Sequence, residues 1–386
     1  MDIAYVTVAG LASKSGDLDH VLGISQGLAE LGNTVHLIAG ASSRDFSSTS
    51  TNLIYHSVPI AGLSPPQAAA KLAKHALNVI QQKDIEIVYL RTFPIDYILF
   101  TRHLIQMKVP YVCELNTITD AEYRAKGQTL KGIIYRFWEG RTLAQSLGWL
   151  PVTQEIRIWA ERISRTRKPF LIAANGVAID TATVKKSRKE VRRMLGVPDS
   201  LPVLVMAGFS RPWHGVDRAL ALLAGLPAPV ELWFIGAQGE TDRRYIETMA
   251  PKYGVDGAVR VFPWLGKSDT ADLVAAAEVG IGPLALDRKH MTEAQPLKIR
   301  FYLALGLPVL INYRDPMLVN GNLPFVSYVP SKEPKALASG VEKLLHLSSD
   351  ERRRIRAYAV ENLSWEAIAS DTEAFLDNLL MRRVQA

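Results

Sequence analysis

The feature that most constrains the fold is an alternation of short apolar runs with helical patterns, repeated along the whole chain. The runs are bounded by turn residues, which is typical of buried strands. They lie at Ile3–Val8, Val35–Ala39, Glu86–Leu90, Pro110–Leu115 and Leu147–Val152, and then at Pro202–Ala207, Val230–Ile235, Ala258–Phe262, Glu278–Gly282 and Leu307–Ile311. Strands that interleave with helices form parallel sheets covered on both faces. We therefore predict an α/β protein with two Rossmann-like, doubly wound parallel-sheet domains.

The length of 386 residues agrees with two domains of similar size. Around Phe170–Asp180 a short strand and an Asn175-Gly176 turn precede a basic helix over Val184–Leu195, and the alternation then begins afresh. We predict a first domain over 1–168 and a second over 169–363, with a terminal helix over 364–386 packing back on the first. Because ligands bind beyond the carboxyl ends of parallel strands, the expected active site is the cleft between the domains.

Several classes of protein are disfavoured by the composition. The single cysteine, Cys113, cannot form an internal disulfide, and the chain opens on no secretory signal pattern. No apolar run is long enough to span a bilayer. We therefore expect a cytoplasmic protein, either without membrane contact or peripheral on the inner face of the membrane.

Positive charge is concentrated between residues 124 and 193, with 16 Lys or Arg against 5 Asp or Glu. Lys131, Arg136 and Arg141 interleave there with apolar residues, among them Ile133, Ile134, Phe137 and Trp138. The pattern has two interpretations: a helix seated on anionic lipid head groups, or a buried helix face with solvated charges beside it. Without a recognisable nucleic-acid module, the basic pI of about 9.3 does not indicate nucleic-acid binding.

The most informative segment runs from Glu293 to Leu310 and reads as loop, helix, glycine stop and strand. A helix that starts near Pro296 would direct its amide hydrogens and positive dipole end at a diphosphate, which Leu297 would adjoin and to which Lys298 would add a full charge. Glu293 precedes this helix and can accept hydrogen bonds from sugar hydroxyls.

A second polar cluster, Gly208 to Asp217, lies between a strand and a helix. Arg211 and His214 in this loop are candidates to clamp a diphosphate. Arg211 is equally well explained as a surface ion-pair partner, and His214 as a helix-capping residue.

Both segments resemble the retaining glycosyltransferases of family 4, which have the GT-B fold. The resemblance rests on Glu293, the Pro-Leu-Lys triplet and Ala304-Leu-Gly-Leu-Pro-Val, and on a phosphate loop that ends in Trp-His-Gly. The family pattern E-x7-E would place a second glutamate, which holds the nucleotide ribose, at Phe301. The commoner phosphate loop has Arg where this chain has Phe209, and Lys where it has His214.

Weaker similarities to the family run through the rest of the chain. Gly16 matches its glycine loop, where the backbone approaches the donor phosphate or the acceptor. Glu114 and Asn116 match an acceptor-pocket Glu-x-Asn variant, and Gly239 matches a loop near the nucleotide. The lack of G-x-G-x-x-G spacing in the loop around Gly16 disfavours NAD as a cofactor. Plain turns or surface loops explain each of these segments as well.

The resemblance implies retaining transfer of a sugar from a nucleoside diphosphate sugar to a hydroxyl of a glycan, lipid-linked or small-molecule acceptor. Glu293, Lys298 and Arg211 would be catalytic, and fixed cations would stabilise the leaving diphosphate without a metal or another cofactor. Two alternatives stay open. The chain would be a non-catalytic subunit partnering an active transferase, as the substitutions Phe301 and Phe209 suggest, or a sugar-nucleotide epimerase of the same fold.

Overall fold

The computed structural model describes residues 1–10, 16–41, 51–93, 95–209, 211–319, 321 and 323–385. The chain divides into two compact units. The first comprises Met1–Gly176 together with Trp365–Ala386, and the second comprises Val177–Ser364. The division therefore follows Gly176, whereas the sequence pattern places it after residue 168.

The first unit is built on a parallel sheet of six strands. The strands are β1 (Asp2–Gly10), β2 (Thr34–Ala41), β3 (Leu53–Pro59), β4 (Ile87–Arg91), β5 (Tyr111–Leu115) and β6 (Gly148–Pro151), in the spatial order β3-β2-β1-β4-β5-β6. Strand β4 has the buried run expected of a parallel strand covered on both faces. The strand order reverses between β1 and β4, which is the switch point where ligands bind in such sheets.

The helices of the first unit connect these strands. They are α1 (Gly16–Glu30), α2 (Pro65–Gln82), α3 (Arg102–Gln106), α4 (Thr119–Ala125), α5 (Thr129–Gln145) and α6 (Gln154–Ser164), with a turn of π-helix at Tyr97–Thr101. The capping box of Ser64 and Gln67 starts α2, and the side chain of Thr153 caps α6.

The second unit repeats the architecture with six parallel strands. These are β7 (Val203–Ala207), β8 (Glu231–Ala237), β9 (Val259–Pro263), β10 (Val279–Ile281), β11 (Val309–Ile311) and β12 (Val326–Tyr328), in the order β12-β11-β10-β7-β8-β9. Its switch point therefore lies between β7 and β10. The two doubly wound sheets confirm the predicted fold class.

The α-helices of the second unit are α7 (Arg188–Leu195), α8 (Val216–Ala224), α9 (Glu240–Met249), α10 (Lys267–Ala275), α11 (Leu297–Ala304), α12 (Pro334–Glu342) and α13 (Ser349–Leu363). Helix α7 starts at Arg188 rather than at Val184, because Ser187 and Glu190 form a capping box. The strand predicted near Phe170 is only an isolated bridge to Trp149.

The terminal helix α14 (Trp365–Gln385) belongs to the first unit and packs on α1. Two glycines of α1 make the close approach possible. A Cβ at Gly23 would lie 2.1 Å from the Trp365 ring, and one at Gly27 would lie 2.7 Å from Ala369 Cβ. Within the described ranges, no helix combines the length and apolar character needed to cross a lipid bilayer.

Candidate active site

Two loops at the switch point of the second sheet form the candidate donor site. The first follows β7 and runs from Gly208 through a 3-10 turn at Pro212–His214 to α8. The second follows β10, the neighbour of β7, and leads into α11. Because β7 and β10 are adjacent and parallel, both loops emerge at the same edge of the sheet.

Lys298 links the two loops. It lies in the first turn of α11, and its Nζ donates a hydrogen bond to the carbonyl oxygen of Gly208. Part of the side chain stays exposed, yet burial of the ammonium lowers the pKa of Lys298 to about 7. The helix starts where the sequence predicted it, with Pro296 at the N-cap and no side chain capping it. A cation thus lies beside the positive end of a helix.

His214 lies at the end of the first loop. Its Nδ1 accepts a hydrogen bond of 3.4 Å from the backbone amide of Arg211, so the ring caps the turn as one interpretation of the sequence proposed. Burial, and then the charges of Lys298, Arg211 and Lys289, lower the pKa of His214 to about 2. A hydrogen bond from the ring to the Phe209 backbone opposes this lowering only in part, so the imidazole is neutral. Because Nδ1 accepts from Arg211, the proton is assigned to Nε2, and an anion that replaced the Phe209 backbone would receive it.

Arg211 and Lys289 add positive charge around the imidazole of His214. The Arg211 side chain is exposed and has no ion-pair partner among the residues that the structure describes. Lys289 lies 4.5 Å above the ring of Trp213, and nothing in the sequence pattern pointed to it. The arrangement suits an anion with several charges, such as a diphosphate.

Backbone hydrogen bonds fasten the first loop to the segment after β10. The amide of Leu284 donates to the carbonyl of His214 at 2.9 Å, and that of Ala285 donates to Trp213 at 3.1 Å. Gly215 is required by this contact. Its φ is +74°, and a Cβ there would lie 3.1 Å from the Ala285 amide nitrogen.

Glu293 lies in the loop before α11 and is 8% exposed. Its backbone forms a bridge with Arg314, and its Oε1 lies 3.9 Å from Arg314 Nε. Arg314 has no signal in the sequence, because nothing in the pattern places the loop after β11 beside Glu293. The Arg314 guanidinium lies near enough to screen the charge of the carboxylate, and the backbone bridge holds the two residues side by side.

A buried ion pair anchors the start of α11. Arg300 and Asp315 are both 0% exposed and are joined by two hydrogen bonds, one of 3.0 Å from Nη2 to Oδ1. Arg300 Nη2 also donates to Gln295 Oε1 at 2.7 Å. This network ties the N-terminus of α11 to the loop after β11. An Arg inside an apolar helix was the only sequence signal for it.

The two departures from the family pattern are apolar residues that pack in the core. Phe301 is half-buried and packs against the main apolar cluster of the second unit. Phe209 is 3% exposed, with its ring centroid 5.3 Å from that of Phe234. Neither side chain can accept a hydrogen bond from a ribose or donate one to a phosphate.

The remaining donor-site predictions are Gly239 and Leu297 in the second unit and Gly16 in the first. Gly239 has φ +108° and directly precedes α9, in the loop that follows β8, the other neighbour of β7. Leu297 is the first residue of α11 and is half-buried. Gly16 is the first residue of α1, and residues 13–15 of its loop lie outside the described residues.

In the first unit, a buried carboxylate at the end of β5 gathers polar groups from three strands and a helix. Glu114 is 0% exposed and accepts hydrogen bonds from Tyr5 at 2.8 Å, from Arg91 at 3.3 Å and from Asn116. His20 Nε2 lies 2.8 Å from Glu114 Oε1. Burial opposes the charge of Glu114, but His20 and Arg91 outweigh it and hold its pKa below the usual range.

The predicted pair Glu114 and Asn116 is therefore in contact, but the two side chains differ in access. Asn116 is half-buried and keeps exposed surface, whereas the Glu114 carboxylate has none left for an acceptor. The role of Glu114 is therefore to hold the Tyr5, Arg91 and Asn116 side chains in place through hydrogen bonds. The predicted turn residue Asn175 is also tied to this cluster, since its Oδ1 lies 2.7 Å from His20 Nδ1.

No three or more His, Cys, Asp or Glu side chains of the described residues are grouped so that they could hold a metal ion.

Comparisons with known proteins agree with this geometry. The family model described as Glycosyltransferase Family 4 matches residues 19–181, and the model described as Glycosyl transferases group 1 matches residues 187–362. The chain is similar to lipopolysaccharide glucosyltransferase WaaG of Escherichia coli (strain K12), with 30% identity over 130 residues. That alignment spans 33% of this chain and 32% of WaaG, about a third of the relative's length.

Solved structures of the same fold cover nearly the whole chain. Sucrose-phosphate synthase from Thermosynechococcus elongatus superposes with a TM-score of 0.73 and 16% identity, covering 99% of each chain. WaaG superposes with a TM-score of 0.66 and 20% identity, covering 95% of this chain and 98% of its own. Anabaena HepE, solved with UDP and glucose, superposes with a TM-score of 0.68 and 14% identity, covering 98% of this chain and 100% of its own. The chain therefore belongs to the glycosyltransferases of family 4 type, which have the GT-B fold.

Proposed function

We propose that this chain transfers a glycosyl group from a nucleoside diphosphate sugar to an acceptor hydroxyl, with retention of the anomeric configuration. The observation that carries the proposal is the convergence of Lys298, His214 and the start of α11 at the switch point of the second sheet. A cation, a neutral donor and helix amides at one place suit a diphosphate, which is the leaving group of such donors.

In this reaction the bond from the anomeric carbon to the diphosphate oxygen breaks, and a bond from the acceptor oxygen to the same carbon forms on the same face. Negative charge develops on the departing diphosphate. Lys298 and Arg211 supply positive charge there, and His214 Nε2 donates a hydrogen bond. The acceptor proton passes to an oxygen of the leaving diphosphate. We propose that these fixed groups replace a metal ion in stabilising the charge.

Glu293 is the candidate to position the donor sugar. Its carboxylate can accept hydrogen bonds from sugar hydroxyls, and its backbone is held by the bridge to Arg314. A positioned carboxylate favours the sugar orientation in which the anomeric carbon is open to attack. WaaG is named as a lipopolysaccharide glucosyltransferase and HepE was solved with UDP and glucose, which supports a hexosyl donor for this chain.

The acceptor is proposed to bind at the carboxyl edge of the first sheet, beside the ends of β4 and β5. Asn116 offers an amide for a sugar hydroxyl, and Glu114 fixes that amide together with Arg91. The acceptor is a hydroxyl of a glycan, of a lipid-linked sugar or of a small molecule. The similarity to WaaG favours the first two classes, and we propose that the reaction takes place in the cytoplasm.

Binding and product analysis together test the proposal. The purified chain would be screened by thermal shift against nucleoside diphosphates and their hexose conjugates. Each donor that binds would then be incubated with and without a panel of acceptors, and NMR would give the anomeric configuration of donor and product. We expect one nucleotide to stabilise the fold and the glycoside to keep the donor's configuration.

Three results would contradict this proposal, each in a different way. An inverted glycoside would overturn retention. If the chain binds no nucleoside diphosphate and turns over no donor, it is a non-catalytic subunit that partners an active transferase. Release of an epimerised sugar nucleotide without acceptor would identify an epimerase.

A further inference from the structure

Helix α5 carries an apolar stripe that points away from its own unit. Leu130, Ile133, Ile134 and Phe137 are 78%, 49%, 54% and 52% exposed. The spacing i, i+3, i+4, i+7 places all four on one helix face. Exposed large apolar residues occur singly on most proteins, but a contiguous stripe of four marks a surface that is covered in use.

Two glycines fix how α5 packs on its own unit. A Cβ at Gly132 would lie 3.0 Å from Tyr123 Cβ, and one at Gly140 would lie 2.5 Å from the carbonyl oxygen of Ile163. These close approaches to α4 and α6 prevent the helix from turning its apolar stripe inward. The interpretation of this pattern as a buried helix face is therefore wrong for Ile133, Ile134 and Phe137, which are exposed, whereas Trp138 is half-buried.

The charges beside the stripe are positive. Lys131, Arg136 and Arg141 are exposed on α5, and the guanidinium of Arg141 lies 3.8 Å above the Phe137 ring. Neither Lys131 nor Arg141 has a carboxylate partner within the described ranges. The acid of this helix, Glu139, is 7% exposed, and burial raises its pKa to about 8, so it does not offset the exposed positive charge.

Nearby acidic side chains are already engaged with arginines or lysines. Asp120 lies 3.5 Å from Arg136 and 3.6 Å from Arg124, and Glu122 lies 2.8 Å from Lys126. The exposed surface is thus aliphatic and aromatic along its centre and cationic at its edge. This combination is complementary to a lipid surface whose phosphates are negative and whose acyl chains lie just below.

We infer that α5 docks on an anionic lipid bilayer, with the side chains of Leu130, Ile133, Ile134 and Phe137 below the head groups and those of Lys131, Arg136 and Arg141 at the level of the phosphates. Long basic side chains reach the phosphates while their methylenes stay against the apolar stripe. The inference rests on α5 alone and does not depend on the proposed reaction.

Vesicle binding tests the inference on the full chain. We expect sedimentation with vesicles of phosphatidylglycerol and phosphatidylcholine but not with phosphatidylcholine alone, and weaker binding in high salt. Ile134→Ser with Phe137→Ser should lower the partition coefficient by about tenfold or more, since two apolar groups no longer enter the interface. Met194→Ser is the matched control, because Met194 is 68% exposed on the basic helix α7.

A fluorophore separates insertion from simple charge attraction. The only native cysteine, Cys113, is buried, so a label on Ile134→Cys reports α5 and one on Met194→Cys reports α7. We expect a blue shift on anionic vesicles only at position 134. The inference would be overturned if the parent did not bind vesicles, or if the serine double variant partitioned as well as the parent. It would also be overturned if the stripe were instead a contact between two copies of the chain, so that the double variant lost a dimer but kept vesicle binding. Matching unfolding midpoints would show that the variants are folded.

Discussion

The side-chain ammonium of Lys298 donates a hydrogen bond to the carbonyl oxygen of Gly208, and so joins the first turn of α11 to the loop that follows β7. These segments follow neighbouring strands at the switch point of the second sheet. The ammonium is therefore held beside the first turn of α11, whose N-terminus no side chain caps. A diphosphate oxygen that replaced the carbonyl would gain a charge-assisted hydrogen bond and the favourable end of the helix dipole.

Removal of Lys298 or Glu293 should abolish most transfer while leaving the fold intact. We expect kcat/KM of Lys298→Ala to fall by about 100-fold or more, because one preorganised donor to a developing anion contributes on that order. Glu293→Ala should fall by a similar factor through loss of sugar orientation. Steady-state kinetics with the donor found by screening would measure both. Lys335→Ala, an exposed lysine of α12, is the control, and near-parental rates in both site variants would refute the assignment.

Diphosphate binding should depend on pH through Lys298. Burial lowers its pKa to about 7, so the ammonium loses its charge as the pH rises through 7 in the unliganded protein. As the pH rises from 6.5 to 8.5, the affinity of the parent for a nucleoside diphosphate should fall more than that of Lys298→Met. We expect the difference between the two falls to be a factor of up to about ten. Calorimetric titration would measure both affinities at each pH. Because the ligand's own ionisation affects both proteins equally, it cancels in the comparison. Parallel pH profiles would show that Lys298 does not contact the anion.

Glu114 should contribute strongly to the stability of the first unit. Its replacement by Ala leaves Tyr5, Arg91 and His20 without their buried acceptor, which should cost about 3 to 5 kcal/mol of unfolding free energy. Its pKa is held below the usual range, so this stability is present at neutral pH and is lost as acid protonates the carboxylate. Urea unfolding would measure the change, with the exposed Glu366→Gln as control. A change below about 1 kcal/mol would contradict the buried network.

Mild acid should weaken the first unit through His56. This side chain stacks on His36 with ring centroids 5.2 Å apart, and burial, followed by the charges of His36, His75 and Lys83, lowers its pKa to about 4. Folding thus favours the neutral ring, whose contribution is complete above pH 6.5 and is lost as the pH falls towards 4. We expect a loss of about 1 kcal/mol after allowance for solvent screening. Urea unfolding at several pH values should show this loss removed by His56→Gln but retained in the exposed His346→Gln.

Most of the fold could be predicted from periodicity. Parallel strands buried on both faces leave continuous apolar runs, and the runs of β1 and β7 stand out for that reason. Strands β3 and β12 were missed because they lie at sheet edges, where their residues alternate in exposure or are mostly half-buried. The pattern also places the start of α7 too early, at Val184, because the capping box of Ser187 and Glu190, and not the first apolar residue, sets where this helix begins.

The site was predictable where one loop carries several polar residues, and less so where distant loops meet. Lys298 and His214 each stand in a polar segment next to a strand. Arg314 and Asp315 come into the site only because β10 and β11 are neighbours, which local periodicity does not encode. The contact of His20 with Glu114 could not be predicted for the same reason, since α1 and β5 are far apart in sequence.

The central claim is that the second unit binds the donor diphosphate at its switch point, and a crystal structure of the chain soaked with the best nucleoside diphosphate tests it most directly. We predict density for the diphosphate within about 3 Å of Lys298 Nζ and His214 Nε2, at the start of α11. Density for the diphosphate at another place, with Lys298 still bonded to Gly208, would contradict it.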